Sequence, residues 1–211
     1  MKLIIMPKSI SMLNNLLDKI DGVIVGYKGL CMNMPKDYSK EEIEDIIKIC
    51  KDNNIKSILE IGTAIGYSAI RMCNISSDIT VTTIERDEER YNIAVENVKS
   101  NNLEDRITLI LGDALEVDVT GKYDLIFIDA AKAQSIKFFT KYCPLLKEDG
   151  TIITDNINFH GLTFSKDPAP TRNLRQLTRK INDYLKWLED NKEFTSKYVN
   201  IGDGIMISKR V

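Results

Sequence analysis

Residues 57–70 read S-I-L-E-I-G-T-A-I-G-Y-S-A-I and decide the fold. An apolar run surrounds Glu60, two glycines follow at positions 62 and 66, and a helical pattern then begins. This order predicts a buried strand, a tight turn and a helix N-terminus. Gly62 and Gly66 would let the backbone approach a ligand closely, although a plain strand-to-helix turn with packing glycines is the alternative. The spacing is not G-x-G-x-x-G, which argues against NAD.

Length and composition place the chain among ordinary globular proteins. Its 211 residues are 43% hydrophobic and 28% charged, and the net charge of -2 gives no global positive field to attract nucleic acid. We expect one domain over residues 1–211, with a helical addition at 1–54 and a core at 55–211. No apolar run approaches the ~20 residues of a membrane span. Four separated cysteines without metal-ligand spacing indicate reduced thiols, so a cytoplasmic location is predicted.

Strand and helix patterns alternate along most of the chain, which predicts an α/β fold. The rhythm implies a mostly parallel sheet with helices on both faces, closed by a C-terminal antiparallel hairpin. Apolar spacing predicts an amphipathic helix at 8–20, and Ser39 followed by Glu42 forms a capping box that opens a second. Strands are predicted at 57–61, 80–85, 107–111, 124–129, 150–154, 194–200 and 204–209, and further helices at 66–74, 88–101, 132–142 and 170–190.

Two acidic residues follow predicted strands where ligands bind in open α/β sheets. Glu85 ends T-V-T-T-I-E and could accept both hydroxyls of a ribose, or could simply begin a charged surface run. Asp113 follows the next strand and could bond an adenine amino group or cap a helix. Ser68, in the first turn after the glycines, could bond a carboxylate of the same ligand.

Oxygen-bearing side chains follow two further strands that should be neighbours in the sheet. Asp129 ends Y-D-L-I-F-I-D, and Asp155 and Asn156 follow T-I-I-T. Two carboxylates and an amide suit Mg²⁺, Mn²⁺ or Ca²⁺. The alternative is that Asp155 and Asn156 cap a turn, for which both residue types are apt. We favour the metal site because Asp129 occupies the equivalent place on the adjacent strand.

Basic residues near these strand ends are candidates for handling a substrate. Lys132 follows Asp129 by three positions, and a nearby cation would favour its neutral amine, which could then deprotonate a hydroxyl. His160, the single histidine, falls in a loop and is expected at the rim of the substrate site. Arg172, Arg175 and Arg179 share one helix face, which is either a solvated surface or a phosphate-binding rim.

Together these motifs resemble the metal-dependent O-methyltransferase family that includes catechol and caffeoyl-CoA O-methyltransferases. The resemblance covers about residues 33–211 and rests on L-E-I-G-T-A-I-G-Y-S, I-D-A-A-K and T-D-N. Within the family, G-T-A-I-G-Y-S-A-I-R-M and I-D-A-A-K-A-Q are most similar to bacterial tRNA 5-hydroxyuridine methyltransferases.

The resemblance implies a Rossmann-like methyltransferase sheet, two cofactors (a divalent cation and S-adenosylmethionine) and a set of site residues. Asp129, Asp155 and Asn156 would bind the divalent metal, and Lys132 would act as the base beside Asp129. The resemblance also implies a homodimer. The expected acceptor is 5-hydroxyuridine in a tRNA anticodon loop or, alternatively, a small catechol-like diol; a non-catalytic binding module is the third possibility. S-adenosylmethionine (SAM) would be surrounded by Asp37, Glu60, Gly62, Gly66, Ser68, Glu85, Asp113, Ala114 and Asp129.

Overall fold

The computed structural model describes residues 4–5, 24–25 and 40–211 of the chain. Five α-helices and nine strands lie in these ranges. The strands are β1 Ile4–Ile5, β2 Ile24–Val25, β3 Ser57–Ile61, β4 Thr80–Glu85, β5 Ile107–Leu111, β6 Tyr123–Ile128, β7 Leu146–Thr154, β8 Phe194–Val199 and β9 Ile205–Arg210. The helices are α1 Lys40–Asp52, α2 Tyr67–Cys73, α3 Glu88–Ser100, α4 Ser135–Tyr142 and α5 Arg172–Glu189.

Seven of the strands form one sheet in the order β5-β4-β3-β6-β7-β9-β8. The first five pair in parallel, while β9 runs antiparallel to both β7 and β8. The predicted α/β sheet with a C-terminal hairpin is therefore confirmed. From β3 the strand order runs outward in one direction through β4 and β5, and from β6 it runs outward in the other direction through β7. The carboxyl ends of β3 and β6 therefore form the crevice in which such sheets bind ligands.

The sheet is buried on both faces because successive residues of its central strands point to opposite sides. Ile58 joins a core cluster with residues of α1, α2 and α3, whereas Leu59 joins a second cluster with residues of α4 and α5. Each fully buried side chain of this size contributes roughly 1.5–3 kcal/mol relative to an exposed one. The two cores thus fix the position of the ligand edge, by which we mean the carboxyl ends of the parallel strands.

The structure differs from the predicted elements in two places. Strand β7 begins at Leu146 rather than at 150, because a shift of register between Tyr123 and Leu125 lets the polar, exposed residues 147–149 continue the strand. The predicted helix 132–142 begins as a 3-10 turn, Lys132–Gln134, before α4. The helix predicted at 8–20 lies outside the described residues.

Strands β1 and β2 form a separate parallel pair that the sequence patterns did not predict. No helix in the described part of the chain has the length and apolar character needed to cross a membrane. Cys50 and Cys73 are buried free thiols, and Cys143 is partly buried.

Candidate functional site

The glycine turn after β3 lies against the end of β6. Gly62 has a φ of +107°, and a Cβ atom placed there would stand 2.1 Å from the backbone oxygen of Asp129. The Gly62 and Thr63 amides donate to the Ile84 carbonyl at 3.0 and 3.1 Å, while the Asp129 amide donates to Ile61 at 2.9 Å. Only glycine permits this approach, which brings the two loops of the crevice together.

The second glycine begins helix α2. Gly66 is left-handed, with a φ of +82°, and its amide donates to the Thr63 carbonyl at 2.8 Å. A Cβ there would lie 3.4 Å from the Ala94 side chain of α3. The glycine therefore serves both the turn and the packing of α2 against α3, so the packing role weighed from the sequence is present in the structure.

Glu60 is completely buried beneath this turn and holds it from below. The Ser68 hydroxyl donates to Glu60 Oε1, and the Thr83 hydroxyl donates to Oε2 at 2.5 Å. Thr83 Oγ1 is also 2.6 Å from Thr63 Oγ1. Burial raises the pKa of Glu60 to about 8, against the lowering effect of the two hydroxyls. Four side chains thus connect β3, β4, the turn and α2.

This arrangement bears on the predicted role of Ser68. Its hydroxyl has one proton, and that proton is donated to Glu60. A bond from Ser68 to a ligand carboxylate would therefore have to come from its backbone amide in the first turn of α2. The Glu60 side chain is fully enclosed by protein, so it cannot contact a ligand directly. Its effect on ligand binding would come from the strand, turn and helix that it holds in place.

Glu85 lies at the carboxyl end of β4, as predicted, and only 7% of it is exposed. Its Oε2 accepts a hydrogen bond from the Ala64 amide at 2.8 Å, and its Oε1 accepts from the amides of Arg86 and Asp87 at 3.0 and 2.9 Å. These bonds fix the carboxylate beside the glycine turn. A carboxylate offers about four lone-pair sites, so capacity remains for a ligand hydroxyl.

Asp113 caps a turn and not the helix N-terminus that was the alternative, because residues 114–116 form a turn in the structure. Its Oδ1 accepts from the Leu115 amide at 2.8 Å, and its carbonyl accepts from the amides of Glu116 and Val117. Ala114 is buried, and its carbonyl accepts a hydrogen bond from the Tyr142 hydroxyl at 2.5 Å. The turn is thereby held at the ligand edge of the sheet, next to the exposed Leu111.

The three predicted metal ligands converge at the ends of β6 and β7. Asn156 Nδ2 lies 3.0 Å from Asp155 Oδ2 and 3.4 Å from Asp129 Oδ1. Asp155 is 3% exposed, and its Oδ1 accepts from the Asn156 amide at 2.7 Å. Asn156 takes a left-handed φ of 54°, which turns its side chain back toward the carboxylates. Two carboxylates and an amide this close fit a hard divalent cation.

The cation would be held by only two acidic side chains. Within residues 46–211, no group of three or more His, Cys, Asp and Glu side chains is placed to hold a metal ion. The third ligand of the proposed set is an amide, so it falls outside such a group. Protein-bound Mg²⁺ commonly has few carboxylate ligands and keeps several waters, and a site of this composition suits it.

Lys132 reaches back from the 3-10 turn to the same group of side chains. Its Nζ donates to Asp129 Oδ1 at 3.0 Å, and only 14% of the Lys132 side chain is exposed. Lys132 thus lies beside Asp129, and the alternative of an exposed surface lysine does not describe it. Its role as a base stays a prediction.

His160 belongs to a loop that a buried aspartate holds. Both carboxylate oxygens of Asp203 accept from the His160 amide, at 2.7 and 2.9 Å, while the imidazole Nδ1 is 3.7 Å from Oδ2. Residues Ile157 and Asn158 also donate to backbone carbonyls of the β8–β9 turn. Asp203 thereby holds the segment that follows Asn156, and the imidazole remains 45% exposed at the rim.

The three arginines of α5 differ in their contacts. All three are exposed, but Arg175 Nη1 donates to the carbonyls of Ala169 and Pro170 at 2.9 and 3.3 Å, so it braces the loop before the helix. Arg179 lines a groove between α5 and Ala133. Arg172 is the first residue of α5.

Sequence reasoning missed two kinds of functional residue. Thr63 and Thr83 complete the hydrogen-bond chain to Glu60, and the sequence marks them only as threonines in G-T-A and in T-V-T-T. Asp203 stands between two glycines where the two strands of the predicted hairpin join, and it proves to be buried under the loop of His160. Asp37 lies outside the described residues.

A parallel sheet reversed at β3 and β6, with a glycine turn and acidic strand ends at that crevice, defines a Rossmann-like methyltransferase fold. The O-methyltransferase family profile matches residues 12–211. The chain belongs to this family, and at that level the prediction of a SAM-dependent O-methyltransferase is confirmed.

Individual relatives agree with this assignment. A Staphylococcus aureus candidate caffeoyl-CoA O-methyltransferase is 39% identical, with a TM-score of 0.78 over 96% of this chain and 92% of that one. An O-methyltransferase from Bacillus cereus, solved with S-adenosylhomocysteine, is 25% identical with a TM-score of 0.72 over 84% of both chains. Caffeoyl-CoA O-methyltransferase from Stellaria longipes is 27% identical over 74% of this chain and 68% of its own length.

Proposed function

We propose that the chain methylates a hydroxyl group that has a second oxygen beside it, and that the acceptor is 5-hydroxyuridine at the wobble position of tRNA. The convergence of Asp129, Asp155, Asn156 and Lys132 carries this proposal. Two carboxylates, an amide and an amine lie here, each within about 3.4 Å of another member of the set. Such a set suits an acceptor with two neighbouring oxygens, as O4 and O5 of 5-hydroxyuridine are.

Asp129, Asp155 and Asn156 would hold the divalent cation. A cation bound there withdraws electron density from the acceptor hydroxyl and makes its proton easier to remove. Lys132 Nζ, which lies at Asp129, takes that proton once its lone pair is available. Catalysis by these residues is mainly positioning and charge stabilisation.

The cofactor site is built from the elements around Glu60. The turn at Gly62 and Gly66 would let the backbone approach the cofactor closely, and Glu85 would offer its remaining lone pair to a ribose hydroxyl. Asp113 would accept a hydrogen bond from the adenine amino group. SAM, when bound, supplies the electrophilic methyl group. The buried contacts of Glu60 with Ser68 and Thr83 keep these elements fixed and leave little to reorganise during transfer.

A wobble base lies in a single-stranded loop, so its extrusion into a site costs little. The sequence segments G-T-A-I-G-Y-S-A-I-R-M and I-D-A-A-K-A-Q support tRNA as the acceptor, and the exposed basic residues of α5 are consistent with it. The alternative is a catechol-like diol, which the caffeoyl-CoA O-methyltransferases among the relatives favour. A homodimer, a cytoplasmic location and a helical addition at 1–54 remain parts of the proposal.

The deciding experiment is methyl transfer from labelled SAM in the presence of Mg²⁺. The acceptors are bulk tRNA from cells lacking this gene, the same tRNA from wild-type cells, a simple catechol and caffeoyl-CoA. Label at a single wobble uridine of the first tRNA alone supports the proposal. Label in the catechol or in caffeoyl-CoA alone would support the small-molecule alternative instead. Transfer that persists in excess chelator contradicts the proposed metal requirement.

A further inference from the structure

A groove of about 660 Å³ lies between helix α5 and the 3-10 turn that carries Lys132. Ala133 forms its wall on the side of the turn. Ala133 directly follows Lys132, whose Nζ is 3.0 Å from Asp129 Oδ1, so the groove and the proposed reaction centre share the 3-10 turn. A substrate with its hydroxyl at Asp129 and a longer body could extend into the groove.

Apart from the apolar Ala133 and Leu177, the side chains that line the groove are charged or carry amides, and positive charge predominates among them. Arg179 and Lys180 contribute two positive charges, opposed by one negative charge from Asp183. Asn173 and Gln176 add side-chain amides that can donate hydrogen bonds, and all five of these residues are exposed. Arginine and lysine together with amide donors suit the oxygens of a phosphate group.

Other basic residues of the same helix do not belong to this surface. Arg175 donates to the backbone carbonyls of Ala169 and Pro170, which directs its guanidinium toward the preceding loop. Lys186 is exposed near the C-terminal end of α5 and is not part of the groove lining. The positive charge of the groove therefore comes from Arg179 and Lys180 in particular and not from all the basic residues of α5.

We propose that this groove is a phosphate subsite, in which Arg179 and Lys180 bind a phosphate group of the methyl acceptor. The inference rests on the proposed function in placing the acceptor hydroxyl at Asp129. The phosphate can come from the backbone of an RNA or from the CoA portion of a thioester. A free catechol has no group for the groove, so the subsite would favour phosphate-bearing acceptors over free catechols.

The test compares charge reversals inside and outside the groove. Arg179→Glu and Lys180→Glu are assayed beside Lys186→Glu, which makes the same charge change on the same helix. The probes are an anticodon stem–loop RNA with 5-hydroxyuridine, caffeoyl-CoA and free catechol, with KM, kcat and binding measured over a series of salt concentrations.

We expect each groove variant to lower kcat/KM for the phosphate-bearing acceptor about tenfold relative to catechol, chiefly through KM. The slope of log affinity against log salt should fall by about 1 for RNA, since one phosphate contact is lost. Lys186→Glu should change the same ratio less than about twofold, because an exposed charge outside the groove lining makes no direct contact with the phosphate and is screened by salt.

The outcomes separate the subsite from the proposed acceptor. If caffeoyl-CoA depends on Arg179 and Lys180 while the RNA is not methylated, the subsite holds and the tRNA proposal fails. If the RNA is methylated equally by Arg179→Glu, Lys180→Glu and Lys186→Glu, the subsite is wrong and the tRNA proposal stands. If neither phosphate-bearing probe binds the unaltered protein, the subsite is overturned.

Discussion

Gly62 and Asp129 are in backbone contact across the crevice between β3 and β6: a Cβ atom on Gly62 would stand 2.1 Å from the carbonyl oxygen of Asp129. One loop carries the proposed cofactor turn and the other carries a proposed metal ligand. A change in the first loop must therefore displace the second. The absence of a side chain at position 62 lets the loops of the proposed cofactor and metal sites lie side by side.

Gly62→Ala should be strongly destabilising, because it adds a steric clash with backbone to an unfavourable φ of +107°. We expect a loss of about 3 kcal/mol or more in the free energy of unfolding, together with weaker SAM binding. Chemical denaturation and titration calorimetry with SAM measure the two effects.

Gly161→Ala is the matched control for this substitution. Gly161 has a φ of +80°, and a Cβ there would meet no atom within 4 Å, so the variant adds backbone strain without a clash. We expect it to cost about 1 kcal/mol. Equal losses for the two variants would mean that the contact with Asp129 contributes nothing beyond backbone strain.

Glu60 should make the stability of the protein fall as pH rises. Burial raises its pKa in the folded state from 4.5 to about 8, so the folded protein binds a proton that the unfolded chain has released. Between these pH values stability therefore declines with increasing pH, by at most about 1.4 kcal/mol per pH unit for this one group. Denaturant unfolding at pH 5, 6, 7 and 8 measures the slope.

The Glu60→Gln variant isolates this contribution because glutamine cannot release a proton. Its amide still offers an acceptor to the Ser68 or Thr83 hydroxyl, so the hydrogen-bond chain is partly retained. The decline between pH 5 and 8 should be shallower than in the unaltered protein, whereas Glu104→Gln, at an exposed position, should reproduce the original slope. An unchanged slope in Glu60→Gln would show that other groups cause the decline.

The ligand edge could be predicted from sequence because parallel strands place their carboxyl ends together. The apolar runs before Glu85, Asp129 and Asp155 were sufficient to bring these residues to one edge. The partners of their side chains could not be predicted in the same way. Whether the proton of Ser68 goes to a ligand or to Glu60 depends on the packing of α2 against β3, which no local pattern contains.

Contacts between segments that are distant in the sequence also could not be predicted from it. The pattern G-D-G predicts a turn, but the burial of Asp203 under His160 joins residues 43 positions apart. Helical spacing likewise groups Arg175 with Arg179, although the first contacts its own loop and the second lines the groove. Periodicity predicts which side of a helix a residue occupies and not which partner it finds.

Asp155→Asn tests the metal site with little change in shape. Asp155 is buried beside Asn156 and Asp129, and the substitution removes one of only two carboxylates in the set. We expect turnover to fall on the order of 100-fold or more and Mn²⁺ binding to weaken, while the SAM affinity changes less than about threefold. Calorimetry with Mn²⁺ and with SAM gives two readouts independent of turnover.

The control for that experiment is Asp167→Asn, in the exposed loop before α5. It removes the same charge away from the proposed ligands, so all three measurements should match the unaltered protein. Full turnover of Asp155→Asn at saturating Mg²⁺ would contradict the metal assignment.

Lys132→Arg separates a positive charge from a proton acceptor. Arginine keeps the cation that pairs with Asp129, so the ion pair, and with it the melting temperature to within about 2 °C, should be retained. A guanidinium does not give up its proton in proteins, so it cannot take one from the substrate. If Lys132 is the base, single-turnover methyl transfer should slow by about 100-fold or more with SAM binding unchanged. If Lys132→Arg transfers at the original rate while Lys132→Met does not, Lys132 contributes its charge alone. In that case another group must accept the substrate proton.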